Sequence, residues 1–432
     1  MGTFYLHLPP LVVMYAQTKF FKTIFFSPKI IYMNKDTSRY EQRGVSSSKK
    51  EVHAAIAHLD KGLFPLAFCK VLPDFSGDPD YCQIMHADGA GTKVLLPYLA
   101  WKETDNLDIW RGVAQDSFVM NLDDMAAAGA TGPFIITMSI DRNKALIPGE
   151  VIATIIDECD RLCKKFTSLG IPCHFAGGET ADVGDLVRTI VINNTFHTRM
   201  KRSDIIDTSR ITAPAYIVGF SSTGKMNWEE KINSGIGSNG LTDARHDVLS
   251  PYYQKYTEAF APETPSELVY CGEHRLDESL PTSGEFSILS ALSSPTQSYA
   301  PLIKELCRVV GREKILGFIH CSGGGQTKIG KFGAEKIVYI KSALFPIPPL
   351  FQFLKQTRNL SWEEAYKTYN MGHRMEAVVA TEEDARACIA ISQSSGVEAK
   401  IIGQVLSMPE LPAKRTVVIQ NEYGTVAAYT FE

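Results

Sequence analysis

Two periods of hydrophobicity alternate along the first half of the chain. Apolar residues spaced three and four apart predict helices at 109–128 and 148–170, each ending at a glycine. Short apolar runs rich in β-branched residues predict strands, which cover residues 81–87, 134–140, 172–176 and 186–200. Strands that alternate with helices are typical of an α/β layer.

The pattern is interrupted at 201–214, a polar stretch that ends in proline and predicts a junction between domains. Beyond it, the same rules predict strands at 215–221, 315–320, 376–380 and 399–405, and helices at 361–367 and 381–394. The residues after 406 give no clear signal. A chain of 432 residues also favours two domains. We therefore expect one domain over 34–206 and a second over 207–432.

Residues 1–33 differ from the rest, because they are rich in aromatics and contain three lysines but no acidic residue. Their apolar runs are shorter than the roughly 18 to 20 residues that a membrane span needs. They also lack the organisation of a secretory signal. Two interpretations stay open, a targeting leader and a start codon assigned too early, and we favour the second, with Met33 as the first residue.

The composition excludes several classes of protein. A formal charge of −4 gives no indication of nucleic-acid binding. Nine cysteines without a CxxC pair argue against a disulfide framework and against a structural zinc site. We therefore expect a cytoplasmic protein that does not associate with membranes.

A glycine turn follows the first predicted strand. It reads Asp88-Gly89-Ala90-Gly91-Thr92-Lys93, with a carboxylate before two glycines and a lysine after them. A second turn, Gly177-Gly178-Glu179-Thr180-Ala181-Asp182, follows the strand at 172–176. Glycines let backbone N–H groups approach an anion, and an aspartate oxygen is a ligand for Mg²⁺. Both turns lie at strand ends, where α/β folds bind ligands.

Three aspartates share one face of the helix predicted at 109–128. Asp116, Asp123 and Asp124 stand at i, i+7 and i+8. Carboxylates along one face of a largely buried helix repel each other, and a divalent cation relieves that repulsion, as do solvent or basic partners. A solvated surface position explains any one of these residues. Together with Asp88 and the two glycine turns, they favour a site for Mg²⁺ and phosphate.

Other motifs carry less information. Residues 235–240 match GxGxxG, but no strand precedes them, which excludes a Rossmann site. Residues 325–331 match GxxxxGK, but Phe332 stands where a P-loop needs Ser or Thr. His320 precedes three glycines and fits two roles equally, a ligand contact and a core histidine. The segment 46–50 fits a lid over a nucleotide as well as an ordinary helix cap.

Taken together, the glycine turns resemble one family. The motifs are DGAGTK at Asp88, DMAAAGA at Asp124, GGETAD at Gly177, GSNG at Gly237, HCSGGG at His320 and YNMGHRM at Tyr369. Their order and spacing over about residues 40–406 resemble those of phosphoribosylformylglycinamidine cyclo-ligase, also called aminoimidazole ribonucleotide (AIR) synthetase.

The resemblance implies an α/β fold of two domains. The N-terminal domains of a homodimer would pair their sheets into a barrel, and the C-terminal domain would form an α/β sandwich. The implied reaction is the ATP-dependent closure of formylglycinamidine ribonucleotide to aminoimidazole ribonucleotide in purine biosynthesis, with Mg²⁺ as the metal.

The resemblance also assigns roles by motif position. The catalytic residues would be Lys93 and His320, and the metal ligands Asp88, Asp116 and Asp124. ATP would contact Gly89, Gly91, Thr92, Lys93, Asp124, Gly129, Ala130, Gly177, Gly178, Glu179 and Thr180. The substrate would contact Ser238, Asn239, Gly240, Ser322, Gly323 and Gly324.

The chain departs from the family pattern at four places. An extra residue stands at Gly132, and Asp123 replaces the usual Asn, which adds negative charge near the expected metal. Residues 46–50 replace a more acidic stretch of the family. An insertion that contains Trp228 lies between Ser222 and Gly235. These departures leave alternatives on the same fold, namely a kinase of the thiamine-monophosphate type and a non-catalytic nucleotide-binding paralogue. Selenophosphate synthetase and formylglycinamidine ribonucleotide synthetase fit less well, because the first cysteine, Cys69, lies outside a glycine-rich segment and the chain has no room for a glutaminase.

Overall fold

The first half of the chain forms a five-stranded sheet in the computed structural model, which describes residues 39–45, 50–421 and 424–431. The strands are β1 (Val71–Pro73), β2 (Tyr81–Gly89), β3 (Phe134–Arg142), β4 (Cys173–Asp182) and β5 (Ile190–Lys201), in the spatial order β1-β2-β5-β3-β4. Strands β3 and β4 run parallel, and the other pairs are antiparallel. The predictions for the leader 1–33 and for the segment 46–49 lie outside the described residues.

Two long helices cover one face of this sheet. The helices of the first half are α1 (Arg39–Gln42), α2 (Lys50–Ile56), α3 (Leu95–Thr104), α4 (Arg111–Ala127) and α5 (Gly149–Ser168). Helix α5 buries its apolar stripe against the sheet and leaves its charged face in solvent, as its 3.6-residue period predicts. Cys159 and Cys163 lie in that stripe and are buried, which confirms that they belong to the core. Helix α4 is buried on most of its surface because it also packs against the second half.

The opposite face of the sheet is open to solvent. Met85 on β2 and Ile135 on β3 stand in one row, since both are in register with His197 on β5. Their side chains are 63% and 51% exposed, and Val191 further along β5 is 37% exposed. Apolar side chains are therefore presented on a sheet face that nothing in the described part of the chain covers.

The second half forms a seven-stranded sheet. Its strands are β6 (Ala215–Ser221), β7 (Ile315–His320), β8 (Ile337–Lys341), β9 (His373–Val379), β10 (Ala399–Ser407), β11 (Arg415–Asn421) and β12 (Gly424–Phe431), in the order β12-β11-β8-β10-β6-β9-β7. Its helices are α6 (Leu241–Val248), α7 (Ile288–Leu292), α8 (Ala300–Leu306), α9 (Pro349–Arg358), α10 (Trp362–Thr368) and α11 (Glu382–Ser394). Two mixed sheets with packed helices confirm the predicted α/β class.

Two local predictions need correction. The predicted glycine turn 177–182 is part of strand β4, which continues through it with a register shift opposite Ile136 and Met138. The tail after 406 is ordered and supplies strands β11 and β12. The first of these runs parallel to β8, so its pairing partner lies far back in the sequence, which local patterns do not reveal.

The insertion predicted between 222 and 235 joins the two halves. Its Trp228 donates from Nε1 to the carbonyl of Ser298 at 3.1 Å. Its Glu229 pairs with Lys165 on α5 at 3.1 Å and also accepts from Gln115 on α4. The segment therefore clamps α4 and α5 against the second sheet. In the sequence, the strands of the first sheet end before residue 206 and those of the second begin after it. The division into two domains stays a prediction.

A second clamp comes from the N-terminal segment. Arg43 donates to Asp243 at 2.9 Å and to Asp247 at 2.6 Å, and Arg358 pairs with the same two carboxylates from the other side. All four side chains are almost completely buried. The positive charges of the two arginines balance the negative charges of the two aspartates. These contacts fix the segment that follows α1 to α6. In the described part of the chain, no helix has both the length and the apolar character of a membrane span.

Candidate active site

Strand β2 and helix α4 bring the first group of site residues together. Asn121 on α4 donates from Nδ2 to the backbone oxygen of Asp88 at 3.1 Å. Its Oδ1 lies 2.9 Å from Nδ1 of His86, two residues earlier on β2. Because side chains alternate along a strand, His86 and Asp88 share the face that α4 covers. The end of β2 is thus fixed to the last turns of α4.

Asp124 lies between two imidazoles. Its Oδ1 is 2.6 Å from Nδ1 of His320, at the end of β7, and its Oδ2 is 3.3 Å from Nε2 of His86. Burial alone would raise the pKa of Asp124, but the hydrogen bonds from His320 and His86 hold it well below its usual range. Burial likewise lowers the pKa of His86, and the contact with Asp124 outweighs this and raises it. The site therefore contains a stable carboxylate contacted from both halves of the chain.

Asp88 supplies a second carboxylate at the mouth of the site. It lies at the surface and accepts a hydrogen bond from the N–H of Gly89 at 2.7 Å. Partial desolvation raises its pKa, the bond from Gly89 opposes this, and the negative charge of Asp124 raises it further. The charge of Asp124 disfavours that of Asp88, and a divalent cation, which prefers oxygen ligands, would relieve that repulsion. This donor set therefore fits Mg²⁺.

Asp116 lies earlier on α4, and its role as a third metal ligand stays a prediction. Eight residues along an α-helix separate Asp116 from Asp124, a rise of about 12 Å. The Oδ1 atom of Asp116 accepts from Lys93 at 2.8 Å and from the backbone N–H of Thr296 at 2.8 Å. The side chain is completely buried, and its Oδ2 has no hydrogen-bond partner among the described residues. Asp116 therefore links Lys93 of the first half to Thr296 of the second.

Lys93 has the same structural setting. Its Nζ donates to Asp116, to the carbonyl of Gly237 at 2.9 Å and to the carbonyl of Ser294 at 2.7 Å. An ammonium group has three N–H donors, so these bonds use all of them. Burial lowers the pKa of Lys93, although Asp116 opposes the effect. A phosphate contact by Lys93 stays a prediction, and it would require Lys93 to leave these partners.

Asp123 does not add free negative charge at the metal. Its Oδ1 accepts from the hydroxyl of Ser298 at 2.6 Å and from the N–H of Tyr299 at 3.0 Å, and its Oδ2 lies 3.4 Å from Arg374. Burial raises the pKa of Asp123, and His320 and Arg374 oppose that effect. The arginine comes from the HRM part of the last motif. The substitution of Asp for Asn is therefore matched by a buried cation.

The turns 237–240 and 321–325, which the sequence predicts to contact the substrate, meet at α4. Ser322 donates from Oγ to the Sδ of Met120, one helical turn before Asp124, at 3.4 Å. Asn239 donates from Nδ2 to the same Ser322 oxygen at 3.1 Å, and Ser238 lies 3.3 Å from Thr296, hydroxyl to hydroxyl. The turns 237–240 and 321–325 therefore form one wall beside Asp124. Gly240 fits there because an added Cβ would meet the ring of Tyr369 at 2.6 Å.

The predicted nucleotide glycines fall into two groups. Gly177 has a φ of 84°, and an added Cβ would meet nothing within 4 Å, so its backbone is open to a ligand. The same holds for Gly323, a predicted substrate contact with a φ of 69°. Gly91 shares this open space. The other glycines pack closely instead, since a Cβ at Gly178 would meet the oxygen of Met138 at 1.8 Å and one at Gly129 would meet that of Asp204 at 2.5 Å. Gly89 is packed into the strand ladder and Ala130 into the core, whereas Thr92 is exposed and its hydroxyl lies 2.8 Å from that of Thr242.

The predicted nucleotide residues of β2 and β4 are aligned across the first sheet. Gly89 pairs with Asn193, Asn193 with Ser139, and Ser139 with Glu179. Three strand spacings separate the ends of this row, a distance of about 14 Å. Gly178 to Thr180 are exposed on the edge strand β4. The sheet thus places both glycine motifs on one line, with Asp88 at one end.

A second group of ligating side chains lies beneath the turn 321–325. Cys321, His373 and Glu376 bring their ligating atoms within 4.8 Å of one another, and all three are buried. Lys341 pairs with Glu376, whose Oε1 also lies 2.9 Å from His373. Burial alone would raise the pKa of Glu376, but Lys341 and His373 lower it to about 2. Because Lys341 already neutralises the carboxylate, the group forms a closed polar core rather than a metal centre.

Two cavities border the insertion and lie apart from Asp124. One has a volume of about 610 Å³ between the start of α4, α5 and the insertion, and the other has about 380 Å³ beside the loop 345–350. None of the predicted site residues lines either cavity. They are therefore not part of the candidate active site.

Sequence reasoning did not single out two side chains at the centre of the site, His86 and Arg374. The alternation of β2 would have placed His86 on the same face as Asp88. Arg374 carried no local signal, because its partner Asp123 lies 251 residues earlier.

Comparisons with known proteins show what the chain is similar to. Residues 68–198 match the family model "AIR synthase related protein, N-terminal domain". A phosphoribosylformylglycinamidine cyclo-ligase of Methanocaldococcus jannaschii is 26% identical over 341 residues, which cover 78% of this chain and 82% of that protein. The enzyme of the same name from Alkaliphilus oremlandii is 27% identical over 330 residues, covering 74% and 80%.

Among solved structures, a chain in the crystal structure of the HypE–HypF complex matches with a TM-score of 0.54 at 15% identity, and covers 90% of this chain and 99% of that chain. At that identity the match shows a shared fold only. The comparisons lead to one conclusion: residues 68–198 match an AIR synthase related N-terminal domain, and about three quarters of the chain is similar to phosphoribosylformylglycinamidine cyclo-ligases.

Proposed function

We propose that the protein closes the imidazole ring of aminoimidazole ribonucleotide from formylglycinamidine ribonucleotide, with ATP converted to ADP and phosphate. The observation that carries the proposal is the junction of Asp88, Asp124 and His320 with the open turn 322–324. A carboxylate pair for a cation and a polar wall for a phosphorylated substrate thereby lie on one cleft. The relatives named for this reaction support the assignment.

ATP and Mg²⁺ belong to the proposal. Asp88 and Asp124 would hold the metal, and the open backbone at Gly91 and Gly177 would face the nucleotide. When bound, the metal neutralises phosphate charge.

The chemistry needs positioning more than a protein nucleophile. The amide oxygen of the substrate attacks the γ-phosphate, and the neighbouring amidine nitrogen then closes the five-membered ring and expels phosphate. Nδ1 of His320 lies 2.6 Å from Oδ1 of Asp124, so a neutral ring that carries its proton on Nδ1 would present Nε2 as an acceptor. Nε2 has no hydrogen-bond partner among the described residues. His320 would use it to orient the amidine group, while Ser322 and Asn239 contact the ribose phosphate.

We further propose a homodimer formed through the open face of the first sheet. Exposed Met85 and Ile135 support this, because exposed apolar patches mark interfaces. An Ile135→Glu variant should be monomeric in light scattering at concentrations where the unmodified protein is a dimer. An unmodified protein that is itself monomeric would contradict the proposal.

We also propose a cytoplasmic location. The nine unpaired cysteines support a reducing compartment.

The test is formation of aminoimidazole ribonucleotide from formylglycinamidine ribonucleotide, ATP and Mg²⁺, measured by the colour reaction of the diazotised product. Asp124→Asn should abolish product because it removes a carboxylate charge from the centre. Asp108→Asn is the matched control, since the Asp108 side chain is 78% exposed and lies away from the cleft. If the unmodified protein binds ATP but forms no product, the cyclo-ligase proposal is wrong, and a kinase or a non-catalytic paralogue takes its place.

A further inference from the structure

A lysine that the motif comparison did not assign lies beside the candidate site. Lys328 follows the turn 321–325 on a short 3₁₀ segment, Gly325–Lys331. Its Nζ donates to the carbonyl of Ser322 at 3.2 Å, and its side chain is half-buried. The ammonium group therefore lies over the turn that carries Gly323 and Gly324.

An aromatic group fixes this position. The Nζ of Lys328 is 5.3 Å from the centre of the Phe68 ring, within the range of a cation–π contact. Phe68 stacks on Phe332 with ring centres 5.3 Å apart, and its ring centre is 6.5 Å from that of His320. Because Phe68 contacts both the lysine and the histidine, it holds the cation near the His320–Asp124 pair.

Lys328 differs from Lys93 in what it can still bind. Lys93 is buried and uses its three N–H donors within the protein. For Lys328 the described residues supply one hydrogen-bond acceptor, Ser322. Two of its donors therefore remain for a ligand.

The backbone beneath Lys328 is also suited to an anion. Gly323 and Gly324 have φ of 69° and 120°, and an added Cβ would meet nothing within 4 Å at Gly323 and only atoms at 3.8 Å or more at Gly324. Successive residues of this kind turn their N–H groups toward a common concave space that attracts anions. The ammonium group of Lys328 and the backbone N–H groups of the turn thus face the same space, where both would attract an anion.

We propose that Lys328 is the phosphate-binding lysine of this site. Its ammonium group, together with the backbone of Gly323 and Gly324, binds a phosphate group of a ligand in the cleft. The proposal deepens the proposed function and rests on it for the identity of that ligand. Two ligands of the cleft carry phosphate, the ribonucleotide substrate and ATP.

Binding measurements test the assignment without turnover. Ribose 5-phosphate and ATP with Mg²⁺ are titrated calorimetrically into the unmodified protein and into Lys328→Met, Lys328→Arg and Lys331→Met. Loss of a charge-assisted hydrogen bond should weaken one of the two ligands about ten- to one-hundred-fold in Lys328→Met. The ligand that weakens identifies the source of the phosphate. Lys328→Arg should restore most of the affinity because it keeps the charge.

Lys331→Met is the matched control, since Lys331 is exposed on the same segment. It should bind both ligands as the unmodified protein does, and all variants should keep the circular-dichroism spectrum of the unmodified protein under the conditions of the titration. Unchanged affinity of Lys328→Met for both ligands overturns the proposal, and so does an equal loss in Lys331→Met. An affinity loss confined to Lys328→Met in a protein that forms no aminoimidazole product would refute the proposed reaction and leave the phosphate site intact.

Discussion

Replacement of Lys93 by methionine separates its structural role from a catalytic one. The variant removes the cation that neutralises the buried carboxylate of Asp116, and it leaves the carbonyls of Gly237 and Ser294 without that donor. Loss of one partner of a buried ion pair costs about 3–5 kcal/mol. The two orphaned carbonyls add to this, although effects within one network are not additive. We therefore expect Lys93→Met to lower the free energy of unfolding by at least about 3 kcal/mol.

The assay is denaturant unfolding followed by circular dichroism, with ATP affinity measured on the folded variant. Lys93→Met/Asp116→Asn is the matched control, because it removes the buried charge as well as its cation. The asparagine oxygen still accepts from the N–H of Thr296. The double variant should therefore recover about 1–3 kcal/mol relative to Lys93→Met, as residues in contact are coupled by this amount.

The reasoning fails if Lys93→Met unfolds at the denaturant concentration of the unmodified protein and binds ATP at least tenfold more weakly. That result would make Lys93 a phosphate ligand, as its position in the DGAGTK motif predicts. The same result would imply that Lys93 breaks its hydrogen bonds to the second half when the nucleotide binds.

Three other contacts give measurable predictions. Lys341→Met should lower the free energy of unfolding by about 3–5 kcal/mol because it leaves Glu376 buried and charged, and Lys341→Met/Glu376→Gln should lose less in the same denaturation assay. Burial lowers the pKa of His86, but the contact with Asp124 outweighs it and raises the pKa above the value of about 6.5 in an unfolded chain. The charge of His86 therefore stabilises the fold fully below about pH 6.5. That stabilisation is lost as the pH rises through the folded-state pKa. A nuclear magnetic resonance titration should find that raised pKa in the unmodified protein and a lower one in Asp124→Asn; equal values would contradict the contact. Arg43→Gln should lower the free energy of unfolding by about 3 kcal/mol, somewhat less than removal of an isolated partner, because Arg358 stays beside the two aspartates. The variant should also be cleaved faster by a protease near residues 39–56. An unchanged cleavage rate would show that α1 is not anchored there.

Periodic patterns were sufficient to predict much of the fold. The helix predicted over 109–128 is observed as Arg111–Ala127, and the one over 148–170 as Gly149–Ser168. Both have long apolar stripes and a glycine after the last turn, which are local properties of the sequence. Strands β8 and β11 were missed, because their pairing depends on partners distant in the chain; β12, which pairs with its neighbour β11, was missed as well.

The candidate site was predictable in part. The glycine motifs and Asp88, Asp124 and His320 were identified from their order, and the fold brings Asp124 and His320 into contact. The partners of Asp116 and Asp123 were not predictable, because most of the groups that bind them lie about 170 to 250 residues later in the chain, Lys93 being the exception. A shared helix face shows that carboxylates cluster, but it does not show which cations or N–H groups meet them.

Glycines gave a similar ambiguity. Gly177 and Gly178 are adjacent in one motif, yet the first is open to a ligand and the second packs on the neighbouring strand. Sequence shows that a side chain is absent, and only the surroundings show whether a ligand or a backbone takes its place.

The proposed chemistry predicts where one oxygen atom goes. Formylglycinamidine ribonucleotide labelled with ¹⁸O in its formyl group is incubated with the protein, ATP and Mg²⁺, and the released phosphate is analysed by mass spectrometry. If the amide oxygen attacks the γ-phosphate before the ring closes, each aminoimidazole product is accompanied by one phosphate that carries ¹⁸O. Unlabelled phosphate alongside the product, or no product from a protein that binds both ligands, would contradict ring closure at this site.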